Sequence, residues 1–405
     1  MNIPKLRFKD NNGNDYPQWE KKKLEKLVSI YDGTHQTPHY VNNGIKFVSV
    51  ENIKNLYASD KFISQEAFSK EFKNIPVLND ILMTRIGDVG TATLVTKNEP
   101  LAYYVSLALL KQKKEIFMPF LLQYINSNFF QRELWKRTLH IAFPKKINKN
   151  EIGKCFIKLP ISKEQEKIAS FFSTIDKKIK NLENIITNLE NQKKGLLQQI
   201  FSQKLRFKDK NGNNYPNWEK KKLGDIANSF DYGMNAPSKE FDGINKYIRI
   251  TDIDEITHKF INKNIVSPNG ILDNKYLVNK NDILFARTGA STGKTYIYDT
   301  NDGILYFAGF LIRANIPEKY NSYFIFLNTL TQKYKNWVKI ESTRSGQPGI
   351  NAEQYKSYNV FVPCLEEQTK IADFLSAFDR KLDNQKAQLE HWQQIKKGLL
   401  QQMFV

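Results

Sequence analysis

Lys5-Leu-Arg-Phe-Lys-Asp-Asn-Asn-Gly-Asn-Asp-Tyr-Pro-Gln-Trp-Glu-Lys-Lys-Lys-Leu24 returns 199 positions later, almost unchanged, as Lys204-Leu-Arg-Phe-Lys-Asp-Lys-Asn-Gly-Asn-Asn-Tyr-Pro-Asn-Trp-Glu-Lys-Lys-Lys-Leu223. Two further matches follow at an offset of 203. Leu159-Pro-Ile-Ser-Lys-Glu-Gln-Glu-Lys-Ile-Ala169 pairs with Val362-Pro-Cys-Leu-Glu-Glu-Gln-Thr-Lys-Ile-Ala372, and Lys193-Lys-Gly-Leu-Leu-Gln-Gln199 with Lys396-Lys-Gly-Leu-Leu-Gln-Gln402. A long-period repeat constrains the architecture before any short motif does. The segments between the matched ends, 25–150 and 224–352, align only in scraps such as Lys46-Phe-Val-Ser with Lys246-Tyr-Ile-Arg. The chain is two copies of one unit, a repeated frame holding two diverged inserts.

After each insert the frame carries a heptad seam. In the first copy Ile168, Phe172, Ile175, Ile179, Leu182, Ile186, Leu189, Lys193, Leu196 and Ile200 step by four and three. In the second the steps fall on Ile371, Leu375, Phe378, Leu382, Gln385, Leu389, Trp392, Lys396, Leu399 and Met403. A period of 3.5 sustained over so many turns predicts a coiled coil, with the polar intrusions Lys193, Gln385 and Lys396 fixing register at some loss of stability. The first helix runs on into the second frame, and by analogy Met403-Phe-Val405 is expected beside Met1-Asn-Ile-Pro-Lys5, closing a ring. The helices are therefore expected to be antiparallel, with an insert at each end of the pair and an approximate two-fold axis between them.

Each insert reads as mixed α/β. Strand-like runs (Ile45–Val50, Tyr247–Ile250, Ala102–Leu110, Leu305–Ile312) alternate with Gly/Asn/Pro turns and lead to a helical stretch such as Phe120–Ser127. Within the second insert, Arg287-Thr-Gly-Ala-Ser-Thr-Gly-Lys-Thr295 imitates a phosphate-binding loop. A P-loop needs four residues between its first glycine and the Gly-Lys pair, followed by a helix. Here Ala290, Ser291 and Thr292 make three, and Tyr296-Ile-Tyr298 favours a strand. The counterpart Asn79-Asp-Ile-Leu-Met-Thr-Arg-Ile-Gly87, continuing through Asp88-Val-Gly90, has no lysine. What the copies share is strand, Arg, Gly, turn, Gly, strand, which predicts a hairpin.

The composition fits a chain of at least two domains with packed cores: 405 residues, 40% hydrophobic and 13% aromatic. With 61 Lys+Arg against 42 Asp+Glu the net charge is +19 and the pI near 9.5. Such a surplus suits a polyanion, although a Lys- and Asn-rich background composition would inflate charge in the same way. No signal peptide or membrane-length apolar run is present, so a cytoplasmic protein with no membrane partner is expected. Cys155 and Cys364 fall at non-equivalent places, which indicates neither a disulfide nor a metal site. An Asn/Asp-Pro-Pro-Tyr/Phe methyltransferase signature, a glycine-rich cofactor loop and a His/Cys cluster are all absent, which argues against a self-contained methyltransferase or nuclease. A coiled-coil scaffold with two protein-binding heads also explains the duplication, but leaves the charge unused.

The doubled Tyr-Pro-x-Trp-Glu frame, the Pro-x-x-x-Glu-Gln-x-x-Ile-Ala helix starts at Pro160 and Pro363, and the Asp-Ile-Leu-x-x-Arg-x-Gly turns together resemble the DNA specificity subunit of Type I restriction-modification enzymes. The resemblance covers essentially the whole chain. It implies two mixed α/β target-recognition domains joined by two long antiparallel coiled-coil helices. The expected boundaries are 1–150 (frame and first domain), 151–202 (first helical region), 203–352 (frame and second domain) and 353–405 (second helical region). It also implies a non-catalytic subunit that reads one half of a bipartite double-stranded DNA target with each domain. Its partners would be two modification (methyltransferase) subunits and, in the full complex, restriction subunits. No cofactor is expected in this chain, since S-adenosylmethionine, ATP and Mg2+ belong to those partners.

Candidate DNA contacts are chosen by chemistry, near the turn glycines and the first strand. They are Thr34, His35, Gln36, Ser49, Glu51 and Asn52 in the first insert, and Asn235, Arg249, Thr251 and Asp252 in the second. For any one of them an exposed loop position or a structural cap is at least an equal alternative. Arg85 and Arg287, at equivalent turns, either bind phosphate or brace the hairpin. Lys294, the pair Lys145 and Lys146, and the pair Arg344 and Gln347 complete the set.

Overall fold

The computed structural model describes residues 4–343 and 348–404; Arg344 and Gln347 lie outside the described residues. The chain forms two compact units, Met1–Asn184 together with Lys386–Val405, and Ile185–Gln385. They share the frame and one four-stranded antiparallel sheet; the strands beside it form a second four-stranded sheet in the first unit and two two-stranded sheets in the second.

Each frame begins with an aspartate-closed loop. Asp10 Oδ1 accepts from the backbone N–H groups of Asn12 and Asn14 (both 2.8 Å), and Asp209 Oδ1 from those of Asn211 and Asn213 (2.8 and 2.7 Å). Gly13 and Gly212 supply the positive φ of the turn, +83° and +82°. The chain then enters a short strand. Glu20–Lys23 pairs antiparallel with Phe156–Leu159, and Glu219–Lys222 with Asn359–Val362. This ladder brings the two ends of each insert side by side, with the Leu24 N–H on the Cys155 carbonyl (2.9 Å) and the Leu223 N–H on the Tyr358 carbonyl (2.8 Å).

Within the first insert an antiparallel sheet runs in the order Val28–Asp32, Leu107–Gln112, Ile81–Thr84, Ala92–Leu94. Its counterpart is Ser229–Tyr232, Leu311–Asn315, Asp282–Ala286, Thr295–Ile297. The near-P-loop is thus the turn between two antiparallel strands. The central strands are buried on both faces. Ile81 and Met83 point into the core shared with the helices, while Leu82 points into a second core under Val48 and Tyr103. In the second insert Ile283 and Phe285 oppose Leu284 in the same way.

Two strand expectations need correction. Ala102–Leu110 is two strands, Leu101–Tyr103 and Leu107–Gln112, and Leu305–Ile312 divides likewise into Leu305–Phe307 and Leu311–Asn315. The first part of each run pairs in parallel with Ile45–Val48 or Lys246–Ile248, and the second joins the antiparallel sheet. Hydrophobicity continues across the crossing because both sides are buried. The run from Ile45 also ends early, at Val48, as does its equivalent at Ile248, and each gives way to a 3-10 turn, Val50–Asn52 or Ile250–Asp252. The helical stretch expected at Phe120–Ser127 is observed as Met118–Ile125.

The two seams lie on the long helices Ser162–Phe201 and Leu365–Met403, which pack together antiparallel. In one unit Lys396 Nζ bonds Asp176 Oδ1 at 2.6 Å, and Gln123 Nε2 holds the other oxygen at 2.9 Å. In the other unit Lys193 bonds Asp379, which also accepts from the Tyr323 hydroxyl. Each intruding lysine therefore meets an aspartate of the opposite helix, and that aspartate is also gripped by the insert. Among the seam residues Ile168, Phe172, Ile175, Leu182, Ile186, Leu189, Ile200, Ile371, Leu375, Leu382 and Met403 are buried. The Lys5 and Leu6 N–H groups reach the Gln402 carbonyl (2.9 and 3.3 Å), so the end of the second helix meets the start of the first frame as expected.

The frame motifs converge on one buried carboxylate per unit. Glu164, fully buried, receives Arg7 Nε and Nη2 at 3.1 and 2.7 Å and Trp19 Nε1 at 2.9 Å. Glu367 receives Arg206 at the same distances and Trp218 at 3.2 Å. The neighbouring glutamines dock the inserts: Gln165 Oε1 accepts from the Phe117 N–H (2.7 Å), and Gln368 Oε1 from the Asn321 N–H (2.9 Å). The repeated sequence is repeated because this joint is.

Candidate nucleic-acid interface

Where the chain crosses from its parallel strand pair to the four-stranded antiparallel sheet, each insert has a short link around which the candidate segments gather. In the first insert this link is Tyr104–Ser106. The Tyr104 N–H donates to Val48 (2.9 Å), the Val105 N–H to Thr34 (2.9 Å), and the Arg85 N–H to Ser106 (2.9 Å). The equivalent link is Ala308–Phe310, bonded in turn to Ile248 (3.0 Å), Met234 (2.8 Å) and the Arg287 N–H (3.0 Å). Close approach at this point requires glycine. A Cβ on Gly33 or Gly233 would lie 2.2 Å from the carbonyl oxygen of Tyr103 or Ala308. The fold thereby brings together Thr34–Gln36, Ser49–Asn52 and the Arg85 turn in one insert, and Asn235, Arg249–Asp252 and the Arg287 turn in the other.

The individual residues divide by what already holds them. His35, Gln36, Asn235 and Thr251 are exposed. Thr34 Oγ1 accepts from the Gln36 N–H at 3.3 Å. Asn52 caps its own 3-10 turn, its Oδ1 accepting from the Ser49 N–H at 3.1 Å, and Glu51 pairs with Lys61 at 3.2 Å. Asp252 caps the equivalent turn through the Arg249 N–H (2.9 Å) and also grips Arg249 Nε and Nη2, both at 2.8 Å. That carboxylate holds the Arg249 guanidinium above its ordinary pKa.

Arg85 and Arg287 share a position but not an environment. Arg85 is buried, with Nη1 2.5 Å from Asp32 Oδ1 and Nε 3.1 Å from the Ile147 carbonyl oxygen. Arg287 is part-exposed, and its guanidinium lies 4.9 Å above the ring of Tyr232, the residue that takes the place of Asp32. Phe310, largely exposed, stands where the first insert has Ser106. Choosing residues by hydrogen-bonding chemistry missed Tyr232 and Phe310. The available signal was the mismatch of Asp32 with Tyr232 immediately before the equivalent glycines.

Lys294 is buried, with Nζ on the carbonyl oxygens of Ile250 (3.2 Å) and Ile253 (3.0 Å) and 2.5 Å from Glu255. It braces the 3-10 turn from beneath. Lys145 and Lys146 are exposed, on a segment whose backbone is bonded to the Arg85 turn: the Gly87 N–H meets the Lys145 carbonyl at 2.7 Å. Cys155 and Cys364 are free thiols, and burial pushes that of Cys155 up to about 12. Among the described residues no group of three or more His, Cys, Asp or Glu could hold a metal ion, and no helix is long and apolar enough to cross a membrane.

The duplicated frame thus presents two structurally equivalent surfaces of different chemistry. The type I restriction modification DNA specificity domain matches this chain twice, over residues 16–191 and 215–391, and the chain belongs to that family. A Methanocaldococcus jannaschii protein described as the type I restriction enzyme MjaX specificity subunit is 26% identical over 97% of this chain and 94% of its own. The crystal structure of a type I restriction-modification S subunit from M. genitalium superposes with a TM-score of 0.63 at 17% identity, covering 99% of both chains. A structure from work on assembly and conformational transition of the type I R-M system gives 0.55 at 13% identity, covering 96% of this chain and 98% of that one. These likenesses extend the family assignment to the fold of the whole chain.

Proposed function

We propose that this chain is the non-catalytic, cytoplasmic subunit that gives a Type I restriction-modification complex its DNA sequence, each insert reading one half of a bipartite duplex target. One observation carries the reading: the same frame holds two links of identical backbone geometry whose surrounding side chains differ, Asp32 and Ser106 against Tyr232 and Phe310. Identical placement with different chemistry suits two different half-site sequences. Exposed His35, Gln36, Asn235 and Thr251 are the base readers in this proposal. Arg287 with Lys145 and Lys146 contact phosphate, while Arg85, Lys294, Asn52 and Asp252 shape the surface. The long helices set the spacer and dock the modification subunits. Methyl transfer and ATP-driven cleavage, with S-adenosylmethionine, ATP and Mg2+, belong to the partners.

Filter binding of the chain with its modification subunit to duplex DNA tests this reading. Affinity should fall by orders of magnitude between about 50 and 200 mM salt, as expected for several phosphate contacts. A specific target should also outcompete random duplex. Salt-insensitive association, or none, would favour a scaffold with protein-binding heads.

A further inference from the structure

The first insert carries an apolar segment whose counterpart in the second is polar and glycine-containing in sequence. Ile141 and Phe143 stand fully exposed at the tip of the segment Leu139–Lys146 and contribute nothing to any core. The segment is nonetheless held at its base: the Leu139 N–H bonds the Lys146 carbonyl (2.8 Å), the Lys145 carbonyl takes the Gly87 N–H, and the Ile147 N–H bonds the Arg85 carbonyl (2.9 Å). Trp135 flanks it, its ring tilted by 46° against that of His140 with centroids 4.6 Å apart. Of the five Lys or Arg in residues 134–150, Lys136 and Arg137 pair with Glu133 and Lys149 with Asp32, while Lys145 and Lys146 stand exposed at the base of the tip. An apolar tip beside two exposed lysines is poorly suited to solvent and well suited to a polyanion with an apolar interior. Stacked bases between phosphate rails are such a partner.

Resting on the DNA-binding reading above, we propose that Ile141 and Phe143 form a wedge that enters the base stack of the half-site read by the first insert and partly opens one base step. Lys145 and Lys146 meet the adjacent phosphates. Wedges of this kind offset the loss of stacking by bringing more protein surface onto the distorted duplex. The sequence of the corresponding segment in the second insert has no large apolar residue to match Ile141 and Phe143. Its corresponding segment runs Thr-Arg-Ser-Gly-Gln-Pro-Gly over 343–349, identified by the Gly289 N–H on the Pro348 carbonyl (3.0 Å) and the Ile350 N–H on the Arg287 carbonyl (2.9 Å). The distortion should therefore be confined to one half-site.

The test uses the full chain with its modification subunit and duplexes carrying the target found by methylome sequencing, with 2-aminopurine placed in turn along both half-sites. The expected result is a several-fold fluorescence rise at one step of one half-site on binding. Ile141→Ala with Phe143→Ala should abolish the rise and weaken target binding about tenfold, while leaving the salt slope unchanged. Lys145→Ala with Lys146→Ala should instead reduce that slope by about 0.9 per contact. A rise that survives the apolar double substitution, or unchanged affinity, overturns the wedge. So does loss of the modification subunit from that variant, which would make the tip a protein contact. If the unsubstituted complex does not distinguish target from random duplex, the DNA-binding reading itself fails, and the two failures are told apart by that control.

Discussion

The two inserts hang from the same joint but treat the same arginine in opposite ways. In the first, Arg85 is ion-paired with Asp32 and closed off from solvent; in the second, Arg287 has Tyr232 in place of that carboxylate, lies on its ring and has exposed Phe310 beside it. The first insert carries an apolar tip at Ile141 and Phe143, whereas the second replaces it with a polar, glycine-containing segment. The difference separates two kinds of constraint. The frame residues of the joint (Arg7, Trp19, Glu164, Gln165 and their counterparts) are repeated, even though the insert grips Asp176 through Gln123 and Asp379 through Tyr323. Residues around the link, in contrast, are free to diverge, since the backbone there is fixed by hydrogen bonds and by Gly33 and Gly233.

If that division is right, breaking the joint should have the largest effect and the same effect in both units. Replacing Glu164 or Glu367 with Ala leaves a guanidinium and an indole N–H facing a buried, vacated site. Each substitution should cost about 3–5 kcal/mol, measured by denaturant unfolding of the full chain. A loss in one unit but not the other would show that the two joints are not equivalent.

The arginines should part company. Arg85→Ala strands Asp32, which Lys149 at 3.7 Å only partly compensates, and should cost about 2–3 kcal/mol after discounting for the partial exposure of the carboxylate. Arg287→Ala removes a cation over one ring and should cost about 0.5–1 kcal/mol, while lowering the salt slope of DNA binding by about 0.9. Equal effects on stability and on salt dependence would dissolve the contrast.

A smaller difference concerns pH. His258, in the second unit, is held below its ordinary value of 6.5 mainly by burial, with its Nδ1 2.9 Å from the Thr295 carbonyl oxygen. The unfolded chain then binds the proton more readily than the native one. Stability from this residue is present above about 6.5 and is lost as pH falls from there through the lower folded value. The acid-side loss should disappear in His258→Gln, as unfolding midpoints at pH 7.5 and 5.5 would show, and should not disappear on substituting His35.

Much of this organisation was legible before folding was considered. The duplicated Arg7 and Trp19 motif announced a repeated frame, and the four-three spacing from Ile168 to Ile200 announced the helix seam. The near-P-loop declared itself a hairpin through its lysine-free copy. What resisted reading depended on distant pairing. Nothing local to Lys193 or Lys396 names Asp379 or Asp176 as its partner, and Glu164 lies 157 residues from Arg7. The runs Ala102–Leu110 and Leu305–Ile312 looked continuous because a strand buried on both faces and a strand crossing between two cores have the same composition. Tyr232 and Phe310 lie 55 and 23 residues from Arg287 in sequence. Only the fold places them beside Arg287.

The central claim is that each insert is an independent reader of one half-site, and the paired strands that hold its two ends suggest the experiment. Residues 25–154 are exchanged for the corresponding segment of another family member, preserving the Leu24–Cys155 hydrogen bond and the Glu164 joint. The chimera is expressed with its modification subunit in a host lacking other methylation, and the genome is sequenced for modified bases. The account predicts a target with one half-site wholly changed and the other retained, base for base. Simultaneous change in both half-sites, or an unchanged target, would contradict it.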